Sequence, residues 1–208
     1  MMALAIDTCG PNGSIALGRV ESNTVDVLAR TELAAKTYSA QLIPALRSML
    51  QQQGMEASAL QAIVVVNGPG SFTGVRIGLS SAKGLADALE IPLLAVSRLA
   101  VLAWRAESSC AALDAGRGEF YFRDGDREFL LGAKDLPLMN SESVAVCEGS
   151  AQQAFAGAIV VDPPAAEDAL RYAVSRLLAH DFADVETLDG NYVRRSDAEI
   201  FAKTAGKA

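Results

Sequence analysis

The 208-residue chain is half apolar and 21% charged, with a net charge of −7, a single histidine and three cysteines. That composition is globular and excludes disordered or low-complexity classes, and no apolar run nears the ~20 residues of a membrane helix. Nucleic acid held directly would call for a basic stripe, whereas the cations here are scattered and only Arg194 and Arg195 are adjacent. Cys9, Cys110 and Cys147 form no CxxC pair and read as reduced thiols of a cytoplasmic protein. The N-terminus lacks a basic n-region, so it does not read as a signal peptide.

Leu4 to Asp7 and Ser14 to Leu17 flank a Gly/Pro/Asn turn and predict a hairpin, which Thr24 to Leu33 extends into a meander. Ser39 to Gln53 carries Leu42, Ile43, Leu46, Met49 and Leu50 at helical spacing, with Pro44 near its start and Gly54 as a stop. The β-branched run Ala62 to Val66 predicts a strand covered on both faces, as in parallel pairing. A Gly-rich loop, a helix from Thr73 to Glu90 and a strand from Leu93 to Val96 follow. Cys110 to Gly116 leading into Glu119 to Phe122 partly repeats the opening: an apolar strand ending in Asp, a Gly turn, a returning strand. Two related α/β domains are therefore expected, about 1–100 and a shorter 101–208 whose C-terminal segment is a candidate to pack back on the first. A strand at Ala158 to Val161 and a helix from Ala165 to His180 complete the reading.

The most informative stretch is Asn67-Gly-Pro-Gly-Ser-Phe-Thr-Gly-Val-Arg-Ile-Gly78. Strand, Gly/Pro loop and helix in that order point backbone N–H groups beyond the loop. Gly68, Gly70, Ser71, Thr73 and Arg76 are thus candidates to hold an anion, with a purely structural tight turn as the alternative. It is neither a Walker loop nor GxGxxG. Gly74, Gly78, Ala82 and Ala86 recur every four residues on one helix face, and Ser81 adds to the small-residue content. Two readings stay open for this face: close packing on the chain's own sheet, or contact with another subunit. Arg76, in the first turn, stands where the helix dipole disfavours a cation.

Catalytic constellations are scarce. His180, at a helix end, reads as a cap; one histidine and no Cys cluster cannot assemble the familiar zinc or iron sites, and a Ser–His–Asp triad would have to use His180, near which nothing resembles a nucleophile elbow. Asp7 and Asp114, one in each repeat unit, resemble paired catalytic acids, with structural turn-capping by an Asx motif as the alternative.

Gly68 to Gly78 resembles the signature of the TsaB (formerly YeaZ) family, a non-catalytic paralogue of the tRNA threonylcarbamoyltransferase TsaD. Leu4 to Thr8, Ser39 to Leu50, Lys83 to Ala86, Val96-Ser97, Leu113 to Ala115, Gly118 to Tyr121 and Tyr192 to Arg194 fit in the same order. The resemblance implies an α/β fold of two related actin/sugar-kinase/Hsp70-like (ASKHA, RNase H-like) domains. It implies a dimerisation subunit without catalytic residues, metal or cofactor of its own, acting with TsaD and the ATPase TsaE, with a nucleotide at most at the complex interface. tRNA would be met only through the complex, and the isolated chain would form a homodimer. The family's contact is a bundle of the first two helices, which makes Leu42, Leu46, Met49, Gly74, Gly78, Ser81, Ala82 and Ala86 candidate interface residues and Asp7 and Asp114 vestigial nucleotide-site acids. TsaD holds its metal through two histidines; here Tyr38 stands near where relatives often have one. Gly190 replaces a Pro that relatives often carry, and the second half is abbreviated. An autonomous ATPase or kinase of the same fold is the alternative, with Cys147 to Ser150 as a faint adenosine motif; a peptidase is a third reading, disfavoured by the placing of His180.

Overall fold

The structure, a computed structural model, describes residues 1–35, 37–132, 134–136 and 143–193; Arg194 and Arg195 lie outside them. Strands β1 (Met2–Asp7), β2 (Gly13–Glu21), β3 (Thr24–Leu33), β4 (Ala62–Val66) and β5 (Leu93–Val96) form one sheet in the order β3-β2-β1-β4-β5. Helices α1 (Tyr38–Gln52) and α2 (Phe72–Leu89) connect β3 to β4 and β4 to β5. After α3 (Arg98–Arg105), strands β6 (Cys110–Gly116), β7 (Glu119–Asp124), β8 (Arg127–Gly132), β9 (Val144–Val146) and β10 (Ile159–Val160) build a second sheet, ordered β10-β9-β6-β7-β8. Both sheets have two antiparallel pairs followed by two parallel ones, so the second repeats the topology of the first. Between β9 and β10 the counterpart of α2 is only α4 (Gly149–Ala154), six residues against eighteen.

Side-chain size sorts the faces of the first sheet. Leu4, Ile6, Ile15, Leu17, Ile63 and Val65 meet α1 and α2, whereas Ala3, Ala5, Ala16, Val64 and Val66 face α5 (Ala166–Tyr172) and α6 (Val174–Leu178). Alternation along each strand produces this division. The small alanines admit α5 closely, and Ser14 Oγ accepts from Ala166 N at 2.9 Å. Each terminal helix serves the opposite half: α3 follows β5 yet packs on β6, β7 and β9, while α5 follows β10 yet packs on β1, β2 and β3. Arg105 ties the two helices through Asp168, at 2.7 Å.

Elements of low sequence signal appear here for the first time: α3, β8, β9 and α4. The helix expected from Ala165 to His180 is two short ones joined at Ala173, which ends α5 and opens α6. His180 follows the second with φ +55, and its exposed ring packs edge-on against Phe182. Gly54 does stop α1: at φ +62 it sends its N–H to Gln51 O, while Met55 N reaches Leu50 O.

The small-residue face of α2 turns inward. Thr8 Oγ1 donates to Gly74 O at 2.6 Å, and a Cβ on Gly74 would meet Thr8 O at 2.0 Å, one on Gly78 Thr8 Oγ1 at 2.3 Å. Gly74, Gly78, Ala82 and Ala86 are buried in the single chain, as are Leu42, Leu46 and Met49, so these seven cannot form an exposed subunit contact. The reason is geometric: the end of β1 runs under the helix at backbone distance. Only Ser81 of the expected interface set stays half-buried. Gly84, exposed with open space around its Cα, supplies the control. Gly74→Ala should cost about 1–3 kcal/mol through overpacking, and Gly84→Ala should gain about 1 kcal/mol of helix propensity. Urea unfolding of both variants measures the two signs.

Candidate functional site

Loop 67–71 joins β4 to α2 and is anchored on every side. Ser71 N donates to Cys9 O at 2.9 Å, Gly68 O accepts from Arg98 N at 2.7 Å, and Asn191 N reaches Asn67 O at 2.7 Å. Gly68 has φ +112, and a Cβ there would meet Asn191 O at 2.5 Å, so both conformation and space demand glycine. Ser71 is the N-cap of α2, accepting from Gly74 N at 3.2 Å. Thr73 is exposed at the start of the helix.

Arg76 leaves this loop. Its guanidinium lies 3.9 Å over the Phe72 ring and its Nε donates to Tyr192 Oη at 3.4 Å. An aromatic ring thus offsets the unfavourable dipole position, and the side chain lines a groove beside Ser80, Lys83 and Gly190. Gly190 itself packs on Tyr192 and Val75, where an added Cβ would have 2.7 Å to the ring.

A cleft of about 1000 Å³ separates the two sheets. Gly70, Ser71, Thr73 and Gly74 line it from the first half, Asp114 and Glu148 from the second. Asp7 and Asp114 occupy equivalent strand ends and make equivalent turns: Asp7 Oδ1 accepts from Cys9 N at 2.8 Å, Asp114 Oδ1 from Gly116 N at 2.6 Å. These are Asx turns. Their environments differ. Asp114, with Ser150 Oγ donating to Oδ2 at 2.6 Å, is held below the usual carboxylate range by that bond and the Gly116 N–H. Asp7 is 3% exposed, and burial raises its carboxyl pKa against the opposing pull of Arg98 and the Cys9 bonds.

Sequence reasoning missed Arg98, although the dipole argument spent on Arg76 applies better to it. It is the first residue of α3, 3% exposed, on the floor of the cleft. Its Nη2 would stand 2.9 Å from a Cβ on Gly10, and its Nη1 lies 3.6 Å from Glu148 Oε1. Tyr38 closes the same corner, donating to Gly10 O and Pro11 O at 3.1 and 3.0 Å. Glu128 was missed too: it accepts from Ser97 Oγ, Arg123 and Asn191 Nδ2, joining the second sheet to the N-cap of α3 and to Asn191, whose own N–H holds loop 67–71. Among the described residues no group of three His, Cys, Asp or Glu could hold a metal, and no helix is long and apolar enough to cross a membrane.

Two sheets of one topology, with helices exchanged between them, define the ASKHA-like class of α/β proteins. A family model described as TsaD: tRNA N6-adenosine threonylcarbamoyltransferase matches residues 29–194. The tRNA threonylcarbamoyladenosine biosynthesis protein TsaB of Escherichia coli (strain K12) is 37% identical over 134 residues, 62% of this chain and 56% of that one. TsaB of Bacillus subtilis (strain 168) is 39% identical over 125 residues, 58% and 53% of the two chains. The matched part of this chain thus spans about half the length of those relatives. A crystal structure of an uncharacterized Pseudomonas aeruginosa protein with similarity to peptidase YEAZ superposes with a TM-score of 0.73 and 29% identity, covering 93% of this chain and 99% of that one. The chain belongs to the tRNA N6-adenosine threonylcarbamoyltransferase family, in its TsaB (YeaZ) branch.

The raised Asp7 pKa has a sign that can be measured. An acid whose pKa rises on folding takes up a proton, so its contribution is intact below the unfolded value of about 4 and drains as pH climbs toward the folded value. Asp7→Asn keeps the acceptor for Cys9 N but does not titrate. Its melting temperature relative to wild type should therefore rise from pH 4 upward and then level off. A constant difference from pH 4 to 8 would contradict the assignment.

Proposed function

We propose that this chain is a non-catalytic partner subunit in the formation of threonylcarbamoyladenosine in tRNA, supporting transfer by a TsaD-type threonylcarbamoyltransferase to the adenosine next to the anticodon. Membership of the TsaB branch supports the pathway. The observation that carries the scaffold role is the outer surface of α1 and α2. With their other sides committed to the chain's own sheet, these helices leave Ile43 43% and Phe72 48% exposed, beside the exposed Arg47, Thr73 and Ser80. Large apolar side chains held in water by two parallel supports suit a protein partner. The interface is thus assigned to outward residues, not to the buried Gly/Ala row.

The two acids fit a subunit that does no chemistry: each already serves as acceptor in its own turn. Under this reading TsaD binds the α1/α2 surface, TsaE joins the assembly, tRNA is reached through the complex, and any nucleotide sits at the shared interface. Alone, the chain pairs with a second copy through the same surface, in the cytoplasm.

Purified TsaD and TsaE, given tRNA and threonylcarbamoyl-adenylate, should form product only when this chain is added, and this chain alone should form none. Product formed equally without it removes the role. Phe72→Asp should keep the wild-type melting temperature within a few degrees and lower TsaD capture at least tenfold; unchanged capture by it and by Ile43→Asp would move the interface elsewhere. ATP hydrolysis by the chain alone would favour the ATPase alternative.

A further inference from the structure

The cleft holds one group that a scaffold role leaves unexplained. Arg98 Nε is buried with no acceptor, and the ion pair of its Nη1 with Glu148 spans 3.6 Å, longer than a hydrogen bond. Glu148 is itself engaged elsewhere, its Oε2 accepting from Asp114 N at 2.6 Å. A guanidinium carries five N–H donors and keeps its charge in any protein environment. With 4% of the side chain exposed, on the cleft floor, this one feels the charges of Glu148 and Asp7, yet its Nε is left without an acceptor. The cleft is the direction from which acceptors can arrive.

The first turn of α2 opens on the same space, through Gly70, Ser71, Thr73 and Gly74. An eighteen-residue helix brings partial positive charge to that end, and with the Gly74 and Val75 N–H groups bonded to Ser71, those of Phe72 and Thr73 are the ones it can offer. Helix terminus and guanidinium therefore approach one volume from separate elements. We infer that this cleft binds a small, singly charged oxyanion, a carboxylate or a phosphate monoanion, between the Arg98 guanidinium and the first turn of α2. The walls limit the charge: Glu148 and Asp114 line the second half's side, and Asp114 is held ionised by Ser150 and Gly116, so a polyphosphate meets repulsion there. Arg76 takes no part, being stacked on Phe72 in a separate groove. The site needs no partner protein, so it stands or falls independently of the scaffold role.

Titration of the full chain with sodium acetate and, separately, inorganic phosphate at constant ionic strength tests this by nitrogen-15 NMR. The Arg98 Nε–H and the amides from Gly70 to Thr73 should shift and saturate together. Arg98→Met should weaken binding at least tenfold, Arg98→Lys should fall between, and Lys83→Met should match wild type. Saturation by one salt alone assigns the site to that oxyanion. Absence of saturable shifts with both salts, equal binding by Arg98→Met, or shifts centred on Arg76 and Lys83 would overturn the site. Should Arg98→Met fail to fold, the wild-type titration and Arg98→Lys decide.

Discussion

The contact between Thr8 and the Gly74–Gly78 turn of α2 is the constraint on which the arrangement rests. It brings the end of the first strand to backbone distance from a helix, with a 2.6 Å hydrogen bond from Thr8 Oγ1 to Gly74 O. Nothing larger than glycine fits at either position. The cost is roughly 1 kcal/mol of helix propensity per glycine, offset by burial of the whole Gly/Ala face. Because β1 ends there, Asp7, Cys9 and Gly10 fall into place beside loop 67–71, and the cleft acquires one wall. Because the helix spends this face inward, its opposite side, with Phe72, Thr73, Arg76 and Ser80, becomes the surface shown to the outside.

The duplicated topology supplies the second wall. Each half closes on a helix borrowed from the other, α3 beneath the second sheet and α5 beneath the first. That exchange makes separation of the halves costly, since Ala3, Ala5 and Ala16 would lose the cover of Ala166, Ala169 and Leu170. Glu128 adds a polar clasp at the far edge, receiving groups from Ser97, Arg123 and Asn191. Among the described residues the second half sets only the six-residue α4 against the eighteen-residue α2, so the surface of paired helices described here belongs to the first half.

What could be read from the sequence divides along physical lines. β1 to β5, α1 and α2 carry strong periodicity, bounded by Gly54, Pro69 and Pro92, and their extents agree with the reading within two residues, except that β2 runs on four residues past Leu17 to Glu21. The Asp-ending repeat at Asp7 and Asp114 exposed the duplication, because turn chemistry is local. Elements held by tertiary pairing stayed hidden: β9 is three residues long and exists through β6 and β10, and α3 spans eight residues, too short for its apolar run between Arg98 and Arg105 to stand out. The Gly/Ala row shows the limit most clearly. Spacing identified a close-packed face, but which backbone lay against it depended on Thr8, sixty-six residues away from Gly74. Arg98 escaped for a similar reason, since its partners on Gly10 and Glu148 come from both halves.

Selective thiol labelling of the native protein tests the central claim that α2 turns its small face inward and its other face outward. Ala82→Cys, at a fully buried position, and Ser80→Cys, at an exposed one two residues away, would be reacted with a maleimide and followed by peptide mass spectrometry. Ser80→Cys should react at once and Ala82→Cys should stay protected until the protein unfolds. Equal reactivity at both positions in a folded protein would contradict it.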